Sequence, residues 1–178
     1  MKIDITLKLA PPAPGSTFHG HYGTHFDVMD KEFPLEYTER EGIVFDVSKV
    51  RDRDIGTADI DLDKVQPGMF VAFCSGFVEE EGYGTPKYEH EHPELSVKLI
   101  EALLDKQISI IGLDFAGVRR GAEHTPMDQY CADRGVFIVE NLCGLRKILD
   151  RGGRFAAKTY PIHFSEITGL PCRVIAEV

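Results

Sequence analysis

The chain has 178 residues, a formal net charge of −9, 43% apolar and 28% charged residues, the balance of a soluble globular domain long enough to bury a full core. The acidity, with no long basic run, argues against a nucleic-acid backbone as partner and is accounted for by solubility. The opening Met1-Lys2-Ile3-Asp4 carries charges where a secretion signal needs an apolar segment, and no apolar stretch approaches the ~20 residues of a membrane span. Cys74, Cys131, Cys143 and Cys172 lack metal-knuckle or Cys-x-x-Cys spacing, so a cytoplasmic protein with reduced thiols and no membrane partner is expected.

Alternation of Ile3, Ile5, Leu7 and Leu9 with polar residues predicts a half-buried strand over 2–9, ended by a proline-rich loop at 11–15. Next comes the run from His19 to Asp27, which places three of the seven histidines and a carboxylate within nine residues. His21, His25 and Asp27 are separated by even numbers, so an extended chain points all three to one side. A straight strand would spread the two histidines by about 13 Å. Gly23, midway between them, tolerates the bend that would let them converge. Two imidazoles and a carboxylate would then suit Zn²⁺ or Mn²⁺. The alternative is a loop whose histidines hold nothing.

Asp30-Lys31-Glu32 reads as a solvated charged turn. Residues 43–48 and 69–74 read as strands, the second fully buried, and residues 59–63 as a strand edge and turn. The stretch 79–86 is a polar, glycine-containing loop of the kind that can overhang a site. Glu89-His90-Glu91-His92 has a metal-binding composition but generic spacing. Pro93 predicts a helix start, and Leu95, Leu99, Ile100, Leu103 and Leu104 supply its apolar face to about Lys106. A β-branched strand follows over 108–113. Asp114 then lines a pocket or bonds turn amides. Arg119 and Arg120 meet an anion or solvent. Thr125-Pro126-Met127-Asp128 predicts a helix with Thr125 as N-cap, in which Asp128 is a capping residue or a ligand. Residues 136–139 form another buried strand. Glu140 follows it, at a corner before a helical face of Leu142, Leu145, Ile148 and Leu149, where helix amides alone would explain a carboxylate. Strands at 155–160 and 172–177 close the chain, with His163, Phe164 and Glu166 between them as further pocket candidates. Helix followed by buried strand indicates an α/β fold with a mixed sheet in a single domain covering 1–178.

The run His21-Tyr22-Gly23-Thr24-His25-Phe26-Asp27 resembles the His-x-Gly-Thr-His-x-Asp signature of the metal-dependent cyclase/hydrolase family, which includes bacterial kynurenine formamidase and isatin hydrolase. Residues 92–96 with 111–114, and residues 135–142, resemble later family segments in the expected order, so the likeness spans roughly residues 2–178. It implies a swivelling β/β/α architecture, a homodimer or homotetramer, and a divalent metal (Zn or Mn). It also implies that His21, His25, Asp27 and Glu140 serve as ligands, with Glu140 alternatively the base facing the bound water. Two positions depart from the pattern. Met29 and Lys31 stand where the family has Pro and a catalytic His, and Asp128 stands where it has a metal-associated His twelve residues before the Glu. Lys31 becomes a base only if burial lowers its pKa. Asp128 would make the coordination more oxygen-rich, and His124 could compensate from one turn away. The implied reaction is metal-assisted hydrolysis of an amide or lactam C–N bond, with an aryl formamide such as N-formylkynurenine as small-molecule substrate, as in conversion of tryptophan to kynurenine. The alternative is a degenerate member that binds a metal or small ligand without turnover.

Overall fold

Residues 1–11 and 20–178 are described by a computed structural model; His19 and most of the expected proline-rich loop lie outside them. The eight strands are β1 (Lys2–Asp4), β2 (His25–Asp27), β3 (Glu39–Asp46), β4 (Phe70–Cys74), β5 (Ile110–Leu113), β6 (Phe137–Glu140), β7 (Arg154–Pro161) and β8 (Gly169–Glu177). They form one mixed sheet in the order β1-β8-β2-β6-β5-β4-β3-β7, and β7 also pairs with β8. That last pairing closes seven strands into a ring. The short β1 lies on the same edge of β8 as β2, farther along it. Closure leaves no long open edge, the usual hazard of an exposed strand.

β3, β4, β5 and β6 run parallel, which requires crossover connections. The helices α1 (Phe77–Glu81), α2 (Pro86–His90) and α3 (Val97–Asp105) span β4 to β5, and α4 (His124–Ala132) spans β5 to β6. With the short α5 (Arg146–Leu149), every α-helix of the described residues comes after residue 76. β4, β5 and β6 are buried throughout, as expected for parallel strands covered on both faces. One apolar cluster, including Val71, Leu99, Leu103, Ile111 and Ile138, lies between the sheet and α3. A second, including Phe26, Phe70, Val139, Phe155 and Val174, lines the other face.

Several sequence expectations are corrected. The first strand ends at Asp4, because Thr6 N–H donates to the Asp4 carboxylate and Leu7 N–H to Thr24 Oγ1. Residues 59–63 run from the end of one 3₁₀ turn (Thr57–Asp59) into a second (Leu62–Lys64), with no strand edge. The helix expected from Pro93 starts after Ser96, whose hydroxyl accepts from Leu99 N–H as an N-cap should. α4 starts at His124, because a 3₁₀ turn over Gly121–Glu123 runs straight into it. Thr125 therefore lies inside that helix and does not cap it. Glu140 does not face a helix N-terminus; the next helix begins six residues later, at Arg146.

Candidate metal centre

Register builds the site. β2 pairs antiparallel with β6, with His25 opposite Glu140 and Asp27 opposite Ile138. Directly opposed residues share a face, as do residues two apart on one strand, so His25, Asp27 and Glu140 converge. Glu140 also ends the parallel strand β6, at the sheet edge where α/β folds commonly bind ligands. The turn before β2 brings His21 back to the same place. Gly20 and Gly23 have φ of 83° and 67°, and His21 Nδ1 comes within 3.1 Å of His25 Nε2 and 2.9 Å of Asp27 Oδ1. The bend expected at Gly23 is present.

The fourth side is α4. His124 and Asp128 lie one helical turn apart and share a face, and His124 Nε2 is 3.1 Å from Asp128 Oδ2 and 3.3 Å from Glu140 Oε1. An imidazole absent from position 128 is thus supplied from position 124. The other oxygen of Glu140 lies 3.6 Å from His25 Nε2. These groups share a cleft of about 470 Å³, with Tyr83, Tyr88, Asn141, Met29 and Thr168 also on its wall.

Surrounding hydrogen bonds fix the imidazoles. Gly23 O can only accept, so His25 Nδ1, 2.9 Å away, keeps its proton, and loss of the second proton would turn the lone pair of Nε2 toward Asp27 and Glu140. That is the arrangement by which ligating histidines are oriented. His21 Nε2 is 2.8 Å from Thr168 Oγ1, which leaves Nδ1 for the cluster. Asn141, at a positive φ of 59°, donates to Gly23 O and accepts from Tyr88 OH, while Gly23 N–H donates to Tyr83 OH. Close backbone packing holds the turn: a Cβ on Gly169 would sit 2.8 Å from the His21 ring, and one on Gly20 would sit 2.1 Å from Gly169 O. Tyr83, Tyr88, Asn141, Thr168 and Gly169 were not candidates from the sequence. Their separation along the chain hides a proximity that only barrel closure creates.

Charge is concentrated here with little water. Asp27, Asp128 and Glu140 are each under 5% exposed; Asp27 Oδ2 and Asp128 Oδ1 have no hydrogen-bond donor, and Glu140 Oε1 has only His124 Nε2, at 3.3 Å. Burial pushes Asp128 up to about 7, with the Asp27 and Glu140 charges adding to it and His124 opposing. Glu140 is raised by burial and then by Asp27. Burial lowers His25, but Asp27 and Glu140 outweigh it and bring it up to about 9. The bonds to Asp128 and Glu140 raise His124 to about 11. Burial raises Asp27 as well, yet the neighbouring imidazoles hold it well below the ordinary carboxylate range. Three buried carboxylates facing protonated imidazoles form a set whose protons a divalent cation can replace.

The donor atoms fit such an ion. Those of His21, His25 and Asp27 lie within 4.8 Å of one another, as do those of Asp27, His124 and Glu140, and Asp27 belongs to both groups. Buried carboxylate oxygens without donors are what an anionic ligand shell presents before its cation is counted. Mixed imidazole and carboxylate donors suit Zn²⁺ or Mn²⁺.

Lys31 does not join this set. Its ammonium lies 2.9 Å from Asp30 and 2.8 Å from Asp133, and its side chain is 35% exposed. Those two carboxylates raise its pKa, the opposite of what a lysine base requires. Met29 supplies the reason. Its φ is 56° and its N–H donates to Thr168 O. Proline can satisfy neither, since its ring fixes φ near −65° and it has no N–H. The turn after Asp27 therefore follows a left-handed path that carries Lys31 to the surface. Arg119 and Arg120 are occupied by Asp54, Glu94 and Glu123. His163, Phe164 and Glu166 lie outside the cleft, along an adjoining groove. All four cysteines are free, and no helix of the described residues is long and apolar enough to cross a membrane.

A closed mixed barrel with a buried imidazole–carboxylate cluster at one mouth defines an α/β protein whose centre is compatible with a divalent metal. Residues 3–119, well over half of the chain, match the Cyclase family, and the chain belongs to that family. Among solved structures, it is similar to a potential metal-dependent hydrolase with cyclase activity (24% identity, TM-score 0.78, covering 99% of this chain and 96% of that one). It is also similar to isatin hydrolase A from Labrenzia aggregata bound to benzyl benzoate (17%, TM-score 0.80, 99% and 93%). A third is an isatin hydrolase bound to the product analogue thioisatinate (18%, TM-score 0.76, 99% and 81%). At these identities the likeness is one of fold. No curated protein matches the sequence.

Proposed function

We propose that the protein is a metal-dependent hydrolase of amide or lactam C–N bonds, with aryl formamides of the N-formylkynurenine type and cyclic aryl amides as its substrate class. The observation that carries this reading is the pair of ligand groups joined at Asp27, with the buried oxygens Asp27 Oδ2 and Asp128 Oδ1 lacking donors. Family membership supports it, as does the likeness in fold to a potential metal-dependent hydrolase and to isatin hydrolase A. A divalent ion held by His21, His25 and Asp27, and by Asp27, His124 and Glu140, supplies Lewis acidity toward a carbonyl and a more acidic water.

The chain's own groups handle the protons. Glu140, whose pKa is raised by burial, takes the proton of the attacking water at a carboxylate oxygen, as a general base does. The water oxygen bonds to the carbonyl carbon, the C–N bond breaks, and the same proton passes to the departing nitrogen. An amide thus yields an acid and an amine, and a lactam yields one ring-opened amino acid. Asp128 Oδ2, 3.1 Å from the same His124 Nε2 that faces Glu140, would stand beside the ion as a further carboxylate donor. Gly23 O and Thr168 hold the imidazoles of His25 and His21. The homodimer or homotetramer expected from the resemblance is kept as part of this reading.

The test is metal content of untagged protein by elemental analysis, beside His25→Ala and a screen of N-formylanilines and isatin-type lactams. We expect one or two Zn or Mn per chain, hydrolysis that chelation abolishes, and loss of both in His25→Ala. Wild-type protein that holds no metal after reconstitution would sink the reading. Metal without turnover of any amide, lactam or lactone would leave the non-catalytic binding protein.

A further inference from the structure

A second concavity adjoins the metal cleft. It has a volume of about 740 Å³ and runs between the turn after β2 (residues 28–38) and the β7–β8 connection (residues 160–170). Its wall is largely apolar, with Phe33, Leu35, Ile162, Phe164 and Leu170 among the residues on it. Leu35 and Ile162 are exposed, an unfavourable position for large apolar groups unless something covers them. The size and lining are those of a small-molecule site.

The groove and the cleft share part of their walls. Met29 and Thr168 line both. Thr168 Oγ1 is the hydrogen-bond partner of His21, and its carbonyl accepts from the N–H groups of Val28 and Met29. One residue thus fixes both a candidate ligand and the floor of the groove. Met29, held by that carbonyl in a left-handed turn, places a flexible thioether at the junction. Such a side chain adapts to a passing apolar group.

We propose that the groove receives the apolar substituent of the substrate. The favoured substrates are then amides bearing an alkyl or aryl extension beyond the ring next to the scissile bond, with Met29 at the border between the two spaces. This rests on the hydrolase reading and adds to it the part of the substrate away from the reacting carbonyl. A second copy of this chain would seek a face to cover, whereas this surface is concave and borders the metal cleft.

The experiment measures kcat and KM of the metal-loaded protein for N-formylanilines with para-alkyl groups from none to hexyl, in wild type and Ile162→Glu. Calorimetric titration of metal-free protein with the corresponding non-hydrolysable N-alkyl ureas runs beside it. For the wild type, kcat/KM and urea affinity should rise about three- to fourfold per methylene over the first few carbons. In Ile162→Glu, KM for the hexyl compound should rise at least tenfold, while N-formylaniline itself stays within twofold and circular dichroism is unchanged. Hydrolysis without dependence on chain length would overturn the groove assignment and leave the hydrolase reading intact. Length-independent urea binding would overturn the assignment whether or not hydrolysis is found. Sedimentation showing a dimer that Ile162→Glu dissociates, with no change in the chain-length profile, would assign the face to a second copy instead. Length-dependent urea affinity with no metal bound and no hydrolysis would retain the groove and discard the hydrolase.

Discussion

Asp114 and Asp27 are both carboxylates about 1–2% exposed, one just past the end of β5 and the other at the end of β2. Asp114 is fully used. Ser75 N–H reaches both its oxygens at 3.0 and 2.9 Å, Gly76 N–H donates at 2.7 Å, and Ser75 Oγ donates to Oδ1. It ties the end of β4 to the end of β5 as a turn residue, one of the two roles its position offers in the sequence. Asp27 faces imidazoles that are themselves candidate ligands, keeps Oδ2 without a donor, and has two further buried carboxylates nearby, of which Asp128 also keeps an unpartnered oxygen. Burial alone therefore does not mark function. A buried carboxylate with a complete donor set is structural, and a cluster with an incomplete one is built for a cation.

The same substitution at the two places separates them. Asp27→Asn removes the ligand common to both groups and should weaken metal binding at least about 100-fold, more than the loss of a supporting second-layer bond does; competition with a chelating dye measures this. Metal affinity unchanged within threefold would end the distinction. Asp114→Asn turns an amide N–H₂ toward donors. It should cost about 1–3 kcal/mol of stability in urea unfolding while metal content stays the same. A drop in metal content without loss of stability would place Asp114 with the site.

His92 extends the contrast to an imidazole that serves structure. It is 1% exposed, stacks on Phe115 with centroids 5.9 Å apart, and donates through Nδ1 to Pro93 O. Burial lowers its pKa to about 4 from 6.5. Between those values the unfolded chain binds a proton that the folded chain refuses, so stability falls as pH drops from 6.5 to 4, by at most about 1.4 kcal/mol per pH unit. Chemical denaturation across that window should show a shallower pH slope in His92→Phe, and an identical slope would refute the account. The smallest effect belongs to Lys31→Met. Its exposed ion pairs with Asp30 and Asp133 should leave kcat and metal content within twofold. A hundredfold loss of kcat at full metal content would restore Lys31 as a catalytic group.

Much of the centre was legible before any coordinates. Even spacing and a glycine at the bend nominated His21, His25 and Asp27, and resemblance nominated Glu140. Lys31 reads from the sequence as a solvated turn residue, or as a base only if buried, and that choice stays open there because the backbone sign at Met29 cannot be read from residue type: a left-handed methionine is uncommon, and only the Thr168 carbonyl that receives its N–H makes sense of it. Asp128 was recognised as either cap or ligand. The tertiary structure instead shows it bonded to His124, because the helix begins a residue before the Thr-Pro pair that resembles a cap.

Local pattern by itself determined the alternation of helix and buried strand, the convergence of the first three ligands and the absence of a cysteine framework. These depend on residues close in the chain, where backbone geometry alone relates them. Tertiary structure decided which imidazole stands opposite Glu140, why Lys31 leaves the site, and that Thr168, Asn141 and Gly169 support residues more than a hundred positions away. Those outcomes follow from strand register and ring closure, which set distances that no local spacing encodes.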